Sequence, residues 1–89
     1  MESKSSSALT FPCEFVIKVM GKNHADLEPA VLSIIQKQFP VVEQHQISRR
    51  PSKDANYLAL SITVTAENQA QLDATYQGLT DSDQVIMAL

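Results

Sequence analysis

Residues 57–65, YLALSITVT, decide the fold class of this 89-residue chain. The stretch alternates between large apolar side chains and smaller or polar ones, and its apolar members are Leu58, Leu60, Ile62 and Val64. Successive side chains of a β-strand point to opposite faces, so a period of two predicts a strand with one buried face. Residues 11–20 alternate in the same way, with Phe15, Ile17 and Val19 on one face, and Gly21 is predicted to end that strand. We expect these two apolar strands to lie at the centre of a sheet.

Two segments with a helical period separate the predicted strands. In residues 24–39 the apolar side chains recur at spacings of three and four, which predicts an amphipathic helix entered through a short turn over residues 23–26. Residues 67–79 repeat the pattern and predict a second helix, capped near Thr65 or Ala66. Each predicted helix therefore follows one of the two apolar strands.

The remaining segments are two weaker strands and two turns. Residues 41–50 are polar on both sides, which is typical of an edge strand, and residues 51–56 are rich in turn-forming residues. Residues 80–83, TDSD, predict a turn, and residues 84–89 predict a short last strand. The order of elements is therefore β-α-β-β-α-β.

This order is that of the α+β ferredoxin-like fold. Right-handed crossovers place both helices on one face of a four-stranded antiparallel sheet with strand order 4-1-3-2. At this length one core is expected, so residues 11–89 are predicted to form a single domain. The Ser-rich residues 1–10 are predicted to be a disordered tail, because they offer little apolar surface to bury.

Composition argues against several classes of function. The formal net charge is -3, whereas nucleic-acid-binding domains usually carry a basic excess. The single cysteine, Cys13, excludes an intrachain disulfide and points to a reducing, cytoplasmic setting. His24 and His45 have no carboxylate or cysteine at ligand spacing, so we expect surface histidines and neither a metal nor another cofactor. No catalytic constellation is evident, and the chain is predicted not to be an enzyme.

The predicted sheet leaves one face without helices. Val16, Lys18, Met20 and Tyr57 lie on this face, together with either Ile86 or Ala88 from the last strand. An apolar patch on so small a protein suggests a protein partner or a homodimer, through this face or through an edge of the sheet. A mixed, solvated surface is the alternative.

Two further segments are candidate binding sites. The loop Gly21, Lys22, Asn23 and His24 joins a central strand to the start of a helix, where exposed backbone N–H groups attract anions, so a small anionic metabolite is a candidate ligand. A plain turn with a glycine at positive φ is the alternative.

The second segment is basic, and its residues are Arg49, Arg50 and Lys53. These side chains could bind an anion or a phosphate backbone. Ordinary solvation of a hairpin is the more frequent role of such residues.

Five segments of the chain form a pattern in a fixed order: FPCEFVIKVMG at residues 11–21, PSK at 51–53, NYLALSITVTA at 56–66, QLDATY at 71–76 and VIMAL at 85–89. In these segments the chain resembles the YbeD-like family of small bacterial proteins. One departure is Asp54-Ala55, which stands where the family tends to have a glycine and adds one residue. The resemblance implies a ferredoxin-like domain similar to ACT regulatory domains, which bind amino acids and pair through their sheets, and a regulatory link to lipoate metabolism.

Two functions are therefore expected, in order of preference. The first is a small non-enzymatic regulatory or adaptor domain that binds a small metabolite or a protein partner. The second is a nucleic-acid-binding module that uses Arg49, Arg50 and Lys53. The negative net charge and the lack of stacked aromatic residues on the central strands disfavour the second.

Overall fold

The computed structural model of this protein describes residues 10–89, so the tail predicted for residues 1–10 lies, apart from Thr10, outside the described residues. Four strands and two helices follow one another: β1 (Cys13–Lys22), α1 (Leu27–Ile35), β2 (Ile47–Pro51), β3 (Tyr57–Ala66), α2 (Gln69–Asp81) and β4 (Val85–Ala88). A 3₁₀ turn, Gln44–Gln46, precedes β2. The β-α-β-β-α-β order predicted from the sequence is confirmed.

All neighbouring strands are antiparallel, and their order across the sheet is β2-β3-β1-β4. This is the predicted order 4-1-3-2 read from the opposite edge, so the ferredoxin-like fold is confirmed. β1 and β3 pair over their whole length, from Cys13 opposite Ala66 to Lys22 opposite Tyr57. Two fully paired ten-residue strands thus form the centre of the sheet.

The core lies between one face of the sheet and the two helices. Its buried apolar members are Ile17, Val19, Leu27, Val31, Ile35, Phe39, Ile47, Leu60, Ile62, Val64, Ala66, Leu72 and Leu79. The period of two assigned five of the strand members to the inner face, namely Ile17, Val19, Leu60, Ile62 and Val64, whereas Ile47 and Ala66 were not predicted there. Burial of each large aliphatic side chain contributes about 1.5–3 kcal/mol, which makes this face the main source of stability.

Both helices differ from their predicted limits. α1 ends at Ile35, earlier than predicted, and a turn leads from there to the buried Phe39. α2 begins after Asn68, whose side-chain oxygen accepts a hydrogen bond from the backbone N–H of Gln71 at 3.0 Å. The prediction that Thr65 or Ala66 caps this helix is wrong, because both residues belong to β3 and pair with β1. α2 also continues to Asp81, so the predicted turn over residues 80–83 begins later.

The edge strand predicted for residues 41–50 is only Ile47–Pro51. Before it, the side chain of Gln46 accepts a hydrogen bond from the backbone N–H of Glu43 at 2.8 Å and closes the 3₁₀ turn. The amide group of the same side chain donates to the backbone carbonyl of Thr63 in β3 at 3.0 Å. The side chain of Gln46 thus bonds to a β3 carbonyl just before β2 begins. The backbone pairing of β2 with β3 therefore starts only at Ile47.

The prediction that Gly21 ends the first strand is wrong. β1 continues through Gly21 and Lys22, which pair with Leu58 and Tyr57 of β3. No glycine among the described residues has a positive φ. A Cβ atom at Gly21 would contact the backbone carbonyl of Gln84 and lie 2.6 Å from Cδ1 of Leu27. Glycine is therefore needed at position 21 because the start of α1 and the residue before β4 both lie very close to β1 there.

Candidate functional site: the open face of the sheet

The face of the sheet away from the helices, here called the open face, exposes large apolar side chains. Val16, Met20 and Tyr57 are 44%, 39% and 41% exposed, and these are the apolar residues predicted for a partner surface. Met87 of β4 and Leu89 beside it are also exposed and border the same surface. Water therefore contacts a continuous apolar stripe that runs from β3 across β1 to β4.

The β4 contribution to this stripe differs from the prediction, which was Ile86 or Ala88. Met87 pairs with Met20, whereas Ala88 packs against the core. The register shifts between Met20 and Gly21, which leaves Ile86 as the extra residue of a β-bulge. A bulge cannot be seen in a strand of four residues from periodicity alone, and it changes which side chains reach the open face.

Two shallow apolar hollows lie on the open face, and Met20 and Ala59 line both of them. One has a volume of about 140 Å³ and is also lined by Met87 and Leu89. The other, also about 140 Å³, is bordered by Tyr57. Hollows of this size are too small and too open to bury a typical cofactor, but they fit single side chains of a partner.

The charges on the open face differ in sign from those of the whole chain. Lys18 and Lys22 alternate onto this face from β1, and Arg50 of β2 borders the hollow beside Tyr57. Glu14 is the one acidic residue among the described strand positions of this face. The face is therefore basic, although the chain carries a net charge of -3.

The predicted metabolite loop uses several of its backbone donors internally. The N–H of Asn23 donates to the carbonyl of Asn56 at 2.9 Å, and the N–H of Asp26 donates to Nδ1 of His24 at 3.1 Å. The N–H of Leu27 donates to the carbonyl of His24 at 3.1 Å. The first turn of α1 thus has fewer open donors than a typical anion site at a helix N-terminus.

The loop does contact the hairpin between β2 and β3. The side-chain amide of Asn23 donates to the carbonyl of Ala55 at 3.0 Å, and an open hollow lies between Lys22, His24 and Asn56. Ala55 has a φ of +62°, in the left-handed region where glycine is least strained, so this turn holds alanine in a strained conformation. Asp54 closes the turn by accepting a hydrogen bond from the N–H of Asn56, which lowers the pKa of its carboxyl.

The predicted basic cluster does not act as a unit. The guanidinium of Arg49 makes a bidentate ion pair with Glu28 of α1, with Nη2 donating to Oε2 at 2.7 Å, and it also donates to Gln44 at 3.0 Å. The hydrogen bond from Arg49 lowers the pKa of Glu28. Arg49 therefore fastens β2 to α1, while Arg50 turns to the open face.

We expect Glu28→Gln to destabilise the protein slightly at neutral pH and to have no effect in acid. A lowered pKa in the folded state means that Glu28 stabilises the fold above its ordinary pKa of 4.5, and that this contribution is lost as the pH falls through the folded-state pKa. Urea midpoints of both proteins should differ at pH 7, and the difference should shrink as the pH falls below 4.5. Glu67→Gln, at an exposed glutamate outside the pair, is the control. A difference that did not shrink below this pH would contradict this role of the ion pair.

The remaining candidate groups are dispersed. Within residues 10–89, no three ligand-type side chains converge on a potential metal position. Cys13 is a half-buried free thiol, and His24 and His45 are exposed. Among the helices of this part of the chain, none is both long and apolar enough to cross a bilayer.

Comparison with known proteins agrees with the fold and with the sequence resemblance. The family model "Protein of unknown function (DUF493)" matches residues 6–89. The chain belongs to the DUF493 family. A UPF0250 protein of Neisseria gonorrhoeae is 39% identical over 88 residues, which cover 99% of this chain and 97% of that protein. A UPF0250 protein of Paraburkholderia phytofirmans is 35% identical over the full length of both chains.

These relatives confirm the resemblance to the YbeD-like family. The solution structure of protein HP0495 from H. pylori is similar in fold, with a TM-score of 0.68, and it matches 100% of this chain and 94% of that chain at 17% identity. At that identity the likeness concerns the fold alone.

Proposed function

We propose that this DUF493 protein is a non-enzymatic adaptor that binds a protein partner through the open face of its sheet. The observation that carries the proposal is the exposed stripe around Met20, Tyr57 and Met87, on the face that neither helix of residues 10–89 covers. Contiguous exposed apolar surface is costly in a soluble monomer and is typical of an interaction surface. Side chains of a partner would enter the two hollows on either side of Met20 and Ala59.

The charges of the open face specify the partner further. Lys18, Lys22 and Arg50 surround the apolar stripe, so the complementary surface is apolar at its centre and acidic at its rim. A second copy of this chain docked face to face would bring like charges together. The proposed partner is therefore a different, acidic protein.

Two other functions receive less support. A small anionic metabolite at Gly21 to His24 would find several of the loop's donors already bonded. A nucleic acid would lack the aromatic platforms that stack bases, since Tyr57 is the one aromatic residue on the described strands of the open face, and Arg49 is already paired with Glu28. The regulatory link to lipoate metabolism that the family resemblance implies stays a prediction.

The proposal is tested by quantitative capture from an extract of the source cell on the immobilised full chain. We expect the double variant Met20→Asp, Met87→Asp to retain roughly ten-fold less of a specific acidic protein, because two carboxylates would have to be buried at the interface. Val41→Asp is the matched control, since Val41 is 76% exposed but lies on the loop before β2, away from the open face.

The outcomes separate the candidate functions. Release of the captured protein by moderate salt, together with equal retention by wild type and Val41→Asp, supports the proposal. Equal retention by the double variant contradicts it. A nuclease-sensitive species would favour nucleic-acid binding instead. Amide shifts confined to residues 21–26 in an NMR screen of metabolites, weakened by Lys22→Glu but not by the surface variant Lys37→Glu, would favour a metabolite regulator.

A further inference from the structure

Among residues 10–89, one side of the first half of β1 has no partner strand. β4 pairs with β1 only along the second half of β1, from Val19 opposite Ala88 to Gly21 opposite Val85. Lys18 and Leu89 extend the pairing by exchanging both backbone hydrogen bonds, at 3.1 and 2.7 Å. Among residues 10–89 nothing pairs with β1 on this side between Cys13 and Ile17. We call this stretch of β1 the half-edge.

The half-edge presents a regular set of backbone donors and acceptors. In an antiparallel sheet, successive residues of a strand direct their backbone N–H and C=O groups alternately to the strand on one side and to the strand on the other. Because Lys18 bonds towards β4, Val16 and Glu14 direct their N–H and C=O groups to the same side. Two donors and two acceptors are thus aligned for one further strand, collinear with β4.

The two ordinary edges of the sheet are protected against strand addition, but the half-edge is not. β2 carries Arg49, Arg50 and Pro51, and β4 is four residues long and bulged at Ile86. Charges, proline and bulges are the usual devices that prevent edge pairing. Between Cys13 and Ile17 there is no bulge and no proline, and the single charged residue is Glu14, which repels acidic segments but not basic ones.

Helix α2 contributes an apolar surface beside the half-edge. The ring of Phe15 meets the ring of Tyr76 edge to face, with centroids 6.3 Å apart. The hydroxyl of Tyr76 donates to the carbonyl of Leu89, which holds α2 against the end of the existing ladder. Phe15 is only half-buried. An added strand would therefore bury its inward side chain against Phe15 and Tyr76.

We infer that the half-edge of β1 is a strand-addition site for an extended segment of another protein, which has an apolar residue opposite Phe15 and a basic residue opposite Glu14. The segment runs antiparallel to β1, in line with β4, and exchanges backbone bonds with Val16 and Glu14. Glu14 is exposed, and opposite charges on directly facing residues stabilise a pair of strands. Backbone bonds supply affinity in this mode of recognition and side chains supply specificity. The inference does not depend on the function proposed for the open face.

The test uses the purified full chain, labelled with ¹⁵N, and the synthetic peptide acetyl-Thr-Val-Ile-Lys-Thr-amide. We expect saturable shifts at the amides of Glu14 and Val16 with millimolar or tighter affinity. Methylation of the peptide nitrogens of its Val and Lys residues should abolish these shifts, because they are the donors that face β1. Replacement of the peptide Lys by Glu should weaken binding by up to about five-fold, and Glu14→Lys should reverse that preference.

A protein variant provides an independent control. Val16→Pro removes the N–H that faces the half-edge but no bond to β3, so a folded variant should lose peptide binding. Val16→Thr keeps the N–H and should bind. If Val16→Pro does not fold, the methylated peptide still decides the question.

Four results would overturn the inference. The first is the absence of shifts at millimolar peptide, and the second is equal binding of the methylated peptide. The third is protection of the Glu14 and Val16 amides from hydrogen exchange in the free protein, if this protection disappears when residues 2–9 are deleted. The chain's own N-terminal residues would then occupy the half-edge. The fourth is protection from exchange that increases with protein concentration alone, which would assign the half-edge to a second copy of the chain.

Discussion

Leu60→Asp is expected to leave this protein unfolded at 25 °C. Leu60 is completely buried on the inner face of β3, between Val19 of β1 and Arg49 of β2. An unpaired carboxylate at this position costs several kcal/mol or forces the strand out of the core. Because the whole stability of a small domain is about 5–15 kcal/mol, the folded population should be lost. Far-UV circular dichroism and a urea titration provide the measurement.

The adjacent residue supplies the control for Leu60→Asp. Ser61 points to the open face, so Ser61→Asp should keep a cooperative unfolding transition with a midpoint near that of the wild type. A folded Leu60→Asp variant with a similar midpoint would contradict the position of Leu60 in the core.

Gly21→Ala is expected to destabilise the protein by roughly 3 kcal/mol, the upper range for overpacking a well-packed site. The added Cβ would collide with the backbone carbonyl of Gln84 and lie 2.6 Å from Cδ1 of Leu27. A backbone carbonyl held next to a strand cannot rotate away. For a domain of this size the loss lowers the melting temperature by roughly 12–24 °C, which differential scanning calorimetry measures.

The second glycine is the matched control. A Cβ at Gly78 in α2 would meet the side chain of Ile34, with Cγ2 at 2.8 Å, and no backbone atom of another element. Ile34 would have to shift, but alanine is favoured over glycine inside a helix by about 1 kcal/mol, which offsets part of that cost. Gly78→Ala should therefore destabilise the protein clearly less than Gly21→Ala. Equal losses for both substitutions would show that the backbone contact at Gly21 is not the cause.

The extent of sequence-based prediction differs between the fold and the candidate site. The alternation in residues 57–65 is a local property, and it was sufficient to assign Leu60 and Ile62 to the core and Ser61 to the other face. Element order and the handedness of crossovers then predicted the strand order, which the structure confirms. The open face was predictable for the same reason, since it follows from which strand positions the helices leave uncovered.

Three of the missed signals depend on residues that only the fold brings together, whereas the Asn68 cap of α2 is a local signal. Gln46 replaces a backbone bond of the expected strand because it reaches Thr63, and Arg49 is removed from the basic cluster because it reaches Glu28. Gly21 is required by Leu27 and Gln84. Local periodicity contains no information about such pairs, which exist only once the chain has folded.

By itself, therefore, the sequence determined the faces of the two central strands, the topology and the family, because these depend on side-chain period and element order. Tertiary structure decided which residues of β4 reach the open face and where the sheet keeps a free edge. Met87 lies opposite Met20 on the open face and Ile86 is the extra residue of the bulge, and among residues 10–89 no strand pairs with the β4 side of β1 between Cys13 and Ile17. The physical reason is that a hydrogen-bonding edge and an apolar stripe are properties of neighbouring strands in register. They do not belong to any one segment of the chain.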